Sequence, residues 1–135
     1  MYMIKASLII LLITCFISCE TPYNDIPIRD VNFTVSIDAS RLIHTGGYEY
    51  FTGGVSGIVI YRFDINTFYA YDRACPYDWE DGGRVSVVDL VLYDSLCGSS
   101  FNILNGYPYS GSKSEHPLRP YKTQLINDYT LHVYN

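Results

Sequence analysis

An all-β fold, an antiparallel sandwich or small barrel, is what this sequence predicts, on three observations. Apolar residues recur with a period of two, the strand-like runs are short, and Gly, Pro or Asn-containing turn signals separate them. Val31, Phe33, Val35 and Ile37 alternate with Asn32, Thr34, Ser36 and Asp38, the pattern of a half-buried strand. Residues 39–43 suit one helical turn, and nothing longer has a 3.6-residue period. Residues 57–63 are apolar and β-branched, and residues 67–71 face them across Asp64-Ile65-Asn66, a hairpin turn. Further strands are expected at 84–88, 90–93, 100–103, 122–126 and 130–134, with Asn105-Gly106 and Asn127-Asp128 as turns. Fourteen tyrosines suit such sheets, because each buries a ring while its hydroxyl reaches water.

The first 18 residues carry one cation, Lys5, then an apolar run from Ala6 to Ile17 and the small residue Ser18 before Cys19. This is the pattern of a secretory signal, and the run is too short to cross a bilayer of about 30 Å. A small residue followed by cysteine resembles the lipobox of bacterial lipoproteins, which implies lipidation at Cys19; Phe16 departs from the usual leucine. Diacylation there would hold the mature chain on the membrane of a bacterial cell envelope, outside the cytoplasm. The expected layout is a signal peptide at 1–18, a lipid-anchored tether at 19–30 and one β domain at 31–135. Loss of the signal moves the formal charge from −5 to −6. An acidic chain without a basic stripe argues against nucleic acid and against electrostatic adhesion to anionic lipid, leaving the acyl group as the membrane contact.

Two cysteine loops carry the chemistry. The first reads Ala74-Cys75-Pro76-Tyr77-Asp78-Trp79, behind Phe68-Tyr69-Ala70-Tyr71-Asp72. The second reads Asp94-Ser95-Leu96-Cys97-Gly98, followed by Phe101-Asn102-Ile103, Asn105-Gly106 and the segment Pro117-Leu118-Arg119-Pro120-Tyr121. In order and spacing this resembles the Rieske iron–sulfur domain, from about Gly54 to Val133. The resemblance implies a Rieske-type β-sandwich with two cysteine loops at one end. It also implies an origin in electron transfer through a [2Fe–2S] cluster.

That cluster needs one Cys and one His from each loop. On the resemblance the four positions are Cys75, Tyr77, Asp94 and Cys97, and Cys75 alone keeps the expected residue. The expectation is therefore a degenerate site without a cofactor, in a structural or interaction module that is not an enzyme. The alternative is an electron-transfer protein holding an atypical [2Fe–2S] cluster. If the frame holds, Cys75 and Cys97 lie on loops that pinch together, and outside the cytoplasm a disulfide between them is expected. Such a bridge closes a loop of about 20 residues and contributes on the order of 3 kcal/mol. A mononuclear metal site from Cys75, Cys97, Asp94 and His116 is the other use of these donors. Catalysis finds little support, since the loops are acidic and no group orients His116 as a base. A protein partner at the Tyr77/Trp79 loop is expected, in competition with packing of those rings over the site.

Overall fold

The structure, a computed structural model, describes residues 26–135. The signal at 1–18, Cys19 and residues 20–25 of the expected tether lie outside the described residues. Among the described residues no helix is long and apolar enough to cross a membrane.

Among the described residues nine strands follow in order: β1 (Asn32–Ser36), β2 (Tyr48–Phe51), β3 (Ile58–Arg62), β4 (Phe68–Asp72), β5 (Val85–Val88), β6 (Val91–Asp94), β7 (Ser100–Asn102), β8 (Pro120–Asn127) and β9 (Thr130–Tyr134). They form a six-stranded sheet in the order β1-β9-β8-β4-β3-β2 and a three-stranded sheet, β5-β6-β7. Every pairing is antiparallel. This is the predicted all-β class with two packed sheets.

Burial explains the strand patterns. β1 buries Val35 and is flanked by buried Val31 and Ile37, as its alternation requires. β3 is different: Ile58, Val59, Ile60 and Tyr61 are all buried, so its apolar run is continuous. Ile58 and Ile60 enter one core with Leu42, Ala70, Leu131 and Val133. Val59 and Tyr61 enter a second core with Val85, Leu92, Phe101 and Leu118, and Cys75 belongs to that second core. The first cysteine is thus rooted in packed side chains of both sheets.

Two short elements were not expected. β2 pairs along β3 from Tyr48↔Tyr61 to Phe51↔Ile58, yet its four residues are all partly exposed. A 3-10 turn at Trp79–Asp81 follows the first cysteine and ends at Gly82, which takes a left-handed φ of 91°. The predicted turn over 39–43 appears as a 3-10 turn at Arg41–Ile43, capped by Ser40, whose hydroxyl accepts from the Leu42 N–H at 3.2 Å. β5 and β6 join through Asp89 and Leu90, both with positive φ, 49° and 63°.

The end of the expected tether is docked rather than free. Ile26 is buried, and its carbonyl accepts from Arg119 Nη2 at 2.7 Å. The Asn135 side chain accepts from the Val31 N–H at 3.0 Å and donates to the Arg29 carbonyl at 2.9 Å.

Candidate metal centre

The two cysteine loops leave opposite sheets and meet. The first leaves β4, and both the Asp78 and Trp79 N–H groups bond back to the Cys75 carbonyl, at 3.3 and 2.9 Å. Cys75 N–H in turn donates to the Gly83 carbonyl at 3.1 Å, and Ala74 bridges Arg84. That tight reversal turns Asp78 inward while Tyr77 is left 55 % exposed. The second loop closes β6 onto β7: Asp94 N–H donates to the Ser99 carbonyl and Gly98 N–H to the Asp94 carbonyl, each at 2.9 Å. Gly98 needs its φ of 81° for this reversal.

One ligand atom each from Cys75, Asp78, Asp94 and Cys97 falls within 4.8 Å of all the others. The sulfurs of Cys75 and Cys97 are 3.7 Å apart, within hydrogen-bond reach, and are not joined as a disulfide. Cys97 Sγ lies 3.3 Å from Asp94 Oδ2 and 3.1 Å from Ser99 Oγ. Ser99, fully buried, also accepts from the Lys113 and Ser114 N–H groups at 3.1 and 3.0 Å, tying the segment after β7 to the second loop.

Electrostatically the group is short of positive charge. Burial pushes the Cys75 thiol far up, with the neighbouring Asp94 and Asp78 adding to the rise. Burial, with Asp94 beside it, also raises Asp78. Burial acts against Asp94 as well, but the Leu96 N–H and bonds from Asp78, Cys75 and Cys97 outweigh it, so its carboxyl is lowered. Asp78 Oδ1 is buried without a hydrogen-bond partner. A cation among these four donors would reverse the penalties on the thiol and on Asp78.

The donors fit a metal by number and spacing. In a tetrahedral site with metal–sulfur bonds of about 2.3 Å, two thiolates stand about 3.8 Å apart, close to the separation of the two sulfurs. They do not reproduce the Rieske set of two Cys and two His, because no imidazole is in the group.

Sequence reasoning named three of the four. The fourth member of the group is Asp78; His116 lies outside the group, and Tyr77 points to the surface. Tyr77 stacks under Lys113, with the ammonium 5.8 Å from the ring centroid, and shares a small outer cleft with His116. Trp79 is partly buried. The signal that was missed is a mirrored spacing: Cys75-x-x-Asp78 in one loop and Asp94-x-x-Cys97 in the other.

No protein-family model matches the chain, and comparison with curated proteins finds no match. Among solved structures the chain is similar to one in the complex of reduced oxygenase and oxidized ferredoxin in carbazole 1,9a-dioxygenase. The TM-score is 0.54 at 19 % identity, over 77 % of this chain and 93 % of that one. It is also similar to the ferredoxin of carbazole 1,9a-dioxygenase from Nocardioides aromaticivorans IC177, with TM-score 0.49 and 18 % identity, over 78 % and 97 % of the two chains. The first likeness shows a shared fold, the Rieske-type β architecture that the loop pattern predicts.

Proposed function

We propose that this chain is an electron-transfer protein of ferredoxin type whose iron centre is held by Cys75, Asp78, Asp94 and Cys97. The gathering of these four donors at the meeting point of the two loops is the observation that carries the reading. The likeness to a chain from a ferredoxin complex supports it. Bound iron would supply a one-electron couple. The chain's own contribution is two thiolates, two carboxylates, and burial that excludes water from Cys75 and Asp94. Replacing two imidazoles by carboxylates adds negative charge and harder donors, which favours the oxidised iron and lowers the potential relative to a Cys2His2 centre. Tyr77 and Leu96, exposed at the loop tips, offer a partner an apolar contact beside the centre. Lipidation at Cys19 would hold the module at the envelope membrane, where palmitate labelling should disappear in Cys19→Ala.

The test is metal and acid-labile sulfide analysis of protein purified anaerobically from its native membrane, followed by redox titration. Two irons with sulfide identify an atypical [2Fe–2S] cluster, and one iron without sulfide identifies a single-ion site; a reversible couple in either supports electron transfer. Protein that carries zinc alone, or no metal and a Cys75–Cys97 disulfide, overturns the proposal in favour of a structural or interaction module.

A further inference from the structure

A second site lies on the back of the first cysteine loop. A cleft of about 770 Å³ opens between the loop Gly53–Gly57 and the chain returning through Gly82 and Arg84. Its walls are held rigidly. Asp72, fully buried behind the glycine loop, accepts from the Val55, Ser56 and Ala74 N–H groups, at 2.6, 3.1 and 2.9 Å. Arg73 Nε donates to the Val85 carbonyl at 2.8 Å and Nη2 to Ser86 Oγ at 2.9 Å. Its guanidinium lies 3.9 Å from the Tyr50 ring centroid, and the Tyr50 hydroxyl is itself fixed by the Val87 N–H at 2.8 Å.

This arrangement has an uncompensated charge. Arg73 is 9 % exposed, and arginine is almost never buried without an acidic partner. No carboxylate among the described residues pairs with Arg73 or Arg84, and the Asp72 oxygens are taken by neutral donors. The other charged residue lining the cleft is also a cation, Arg84. Two guanidinium groups therefore converge on an open cleft in a chain whose net charge is −5. Two of the five N–H donors of Arg73 are used in the bonds above, which leaves its outer fork for a ligand.

We infer that this cleft binds a small phosphorylated molecule, its dianionic phosphate held between Arg73 and Arg84 and its organic part lying along Gly53–Gly57. Two adjacent guanidinium forks match a phosphate dianion better than a single carboxylate. The volume far exceeds that of phosphate alone and suits a small organic ligand. Because Arg73 lies two residues before Cys75, an occupant would rest against the base of the metal loop. The inference itself stands apart from the metal reading.

The test is amide and arginine Nε–H NMR of the domain titrated with inorganic phosphate, phenyl phosphate and acetate, against sodium chloride at equal ionic strength. Saturable one-to-one shifts centred on Gly53–Gly57, Arg73 and Arg84 are expected, with phenyl phosphate at least threefold tighter than phosphate. Arg84 is exposed, so Arg84→Gln should fold and weaken both phosphates at least tenfold, while Arg29→Gln leaves them unchanged. Arg84→Glu should abolish binding and raise the phosphate-free melting temperature by giving Arg73 a counterion. Unaltered affinity in Arg84→Gln, shifts reproduced by sodium chloride, or acetate binding as tightly as phosphate would each overturn the site.

Discussion

The Tyr121 hydroxyl donates to Asp72 Oδ2 across 2.8 Å in the interior, joining β8 to the end of β4 just before the first cysteine loop. With three backbone N–H donors on the same carboxylate, Asp72 orders the glycine loop, the approach to Cys75 and the central strand pair together. Asp72→Asn would turn an acceptor oxygen into an amide facing an N–H group. A loss of about 3 kcal/mol or more is expected, read by urea unfolding. Tyr121→Phe removes one of four donors and should cost about 1–2 kcal/mol.

Gly54 sits over that junction with φ 59°, and a β-carbon there would strike the Asp72 carboxylate and the Tyr121 hydroxyl. Gly54→Ala should therefore destabilise by at least about 2 kcal/mol, through the crowding and the left-handed backbone together. Chemical denaturation of the variant beside Gly82→Ala separates the two causes, because Gly82 has positive φ but open space around it.

Alkali should unfold the domain. Burial raises the phenols of Tyr71 and Tyr121 well above their ordinary value of 10.0, so the fold favours their neutral form. Their contribution is complete below pH 10 and is lost as pH climbs from there toward the raised folded values. Absorbance near 295 nm should show a late group of tyrosines ionising together with loss of the circular dichroism signal. Smooth titration of all tyrosines in a folded protein would contradict this.

Leu90 occupies the second position of the two-residue turn between β5 and β6, with φ 63° and 52 % exposure. A type I′ turn prefers glycine there, and a left-handed leucine costs about 1–2 kcal/mol. Leu90→Gly should raise stability by about 1 kcal/mol, visible as a higher melting temperature.

Donor assignments separate cleanly by substitution. Cys75→Ser and Cys97→Ser should abolish iron loading, and Asp78→Asn should weaken it at least about tenfold. Tyr77→Phe and His116→Ala should load like the parent protein. Metal content after anaerobic reconstitution is the measurement, and full loading of Asp78→Asn would remove Asp78 from the site.

The strands that were legible in the sequence are those whose burial repeats along one face or covers both, as in residues 31–37 and 57–63. β2 escaped because Tyr48, Glu49, Tyr50 and Phe51 are all half out of the core, so no alternation marks them. Cys75, Asp94 and Cys97 could be placed by loop spacing. For Asp78 the mirrored spacing was the only mark, since its inward position depends on two consecutive N–H groups turning back to one carbonyl. Arg73 and Arg84 converge only because the chain reverses between them through Ala74↔Arg84, which no local pattern signals.

Docking of Ile26 against the domain has a consequence for reach. Between Cys19 and Ile26 the backbone can extend at most about 25 Å, on the order of the width of the domain it would carry. A lipid at Cys19 would then work as a short leash, and any redox partner would have to meet the two loops within a thin layer above the headgroups.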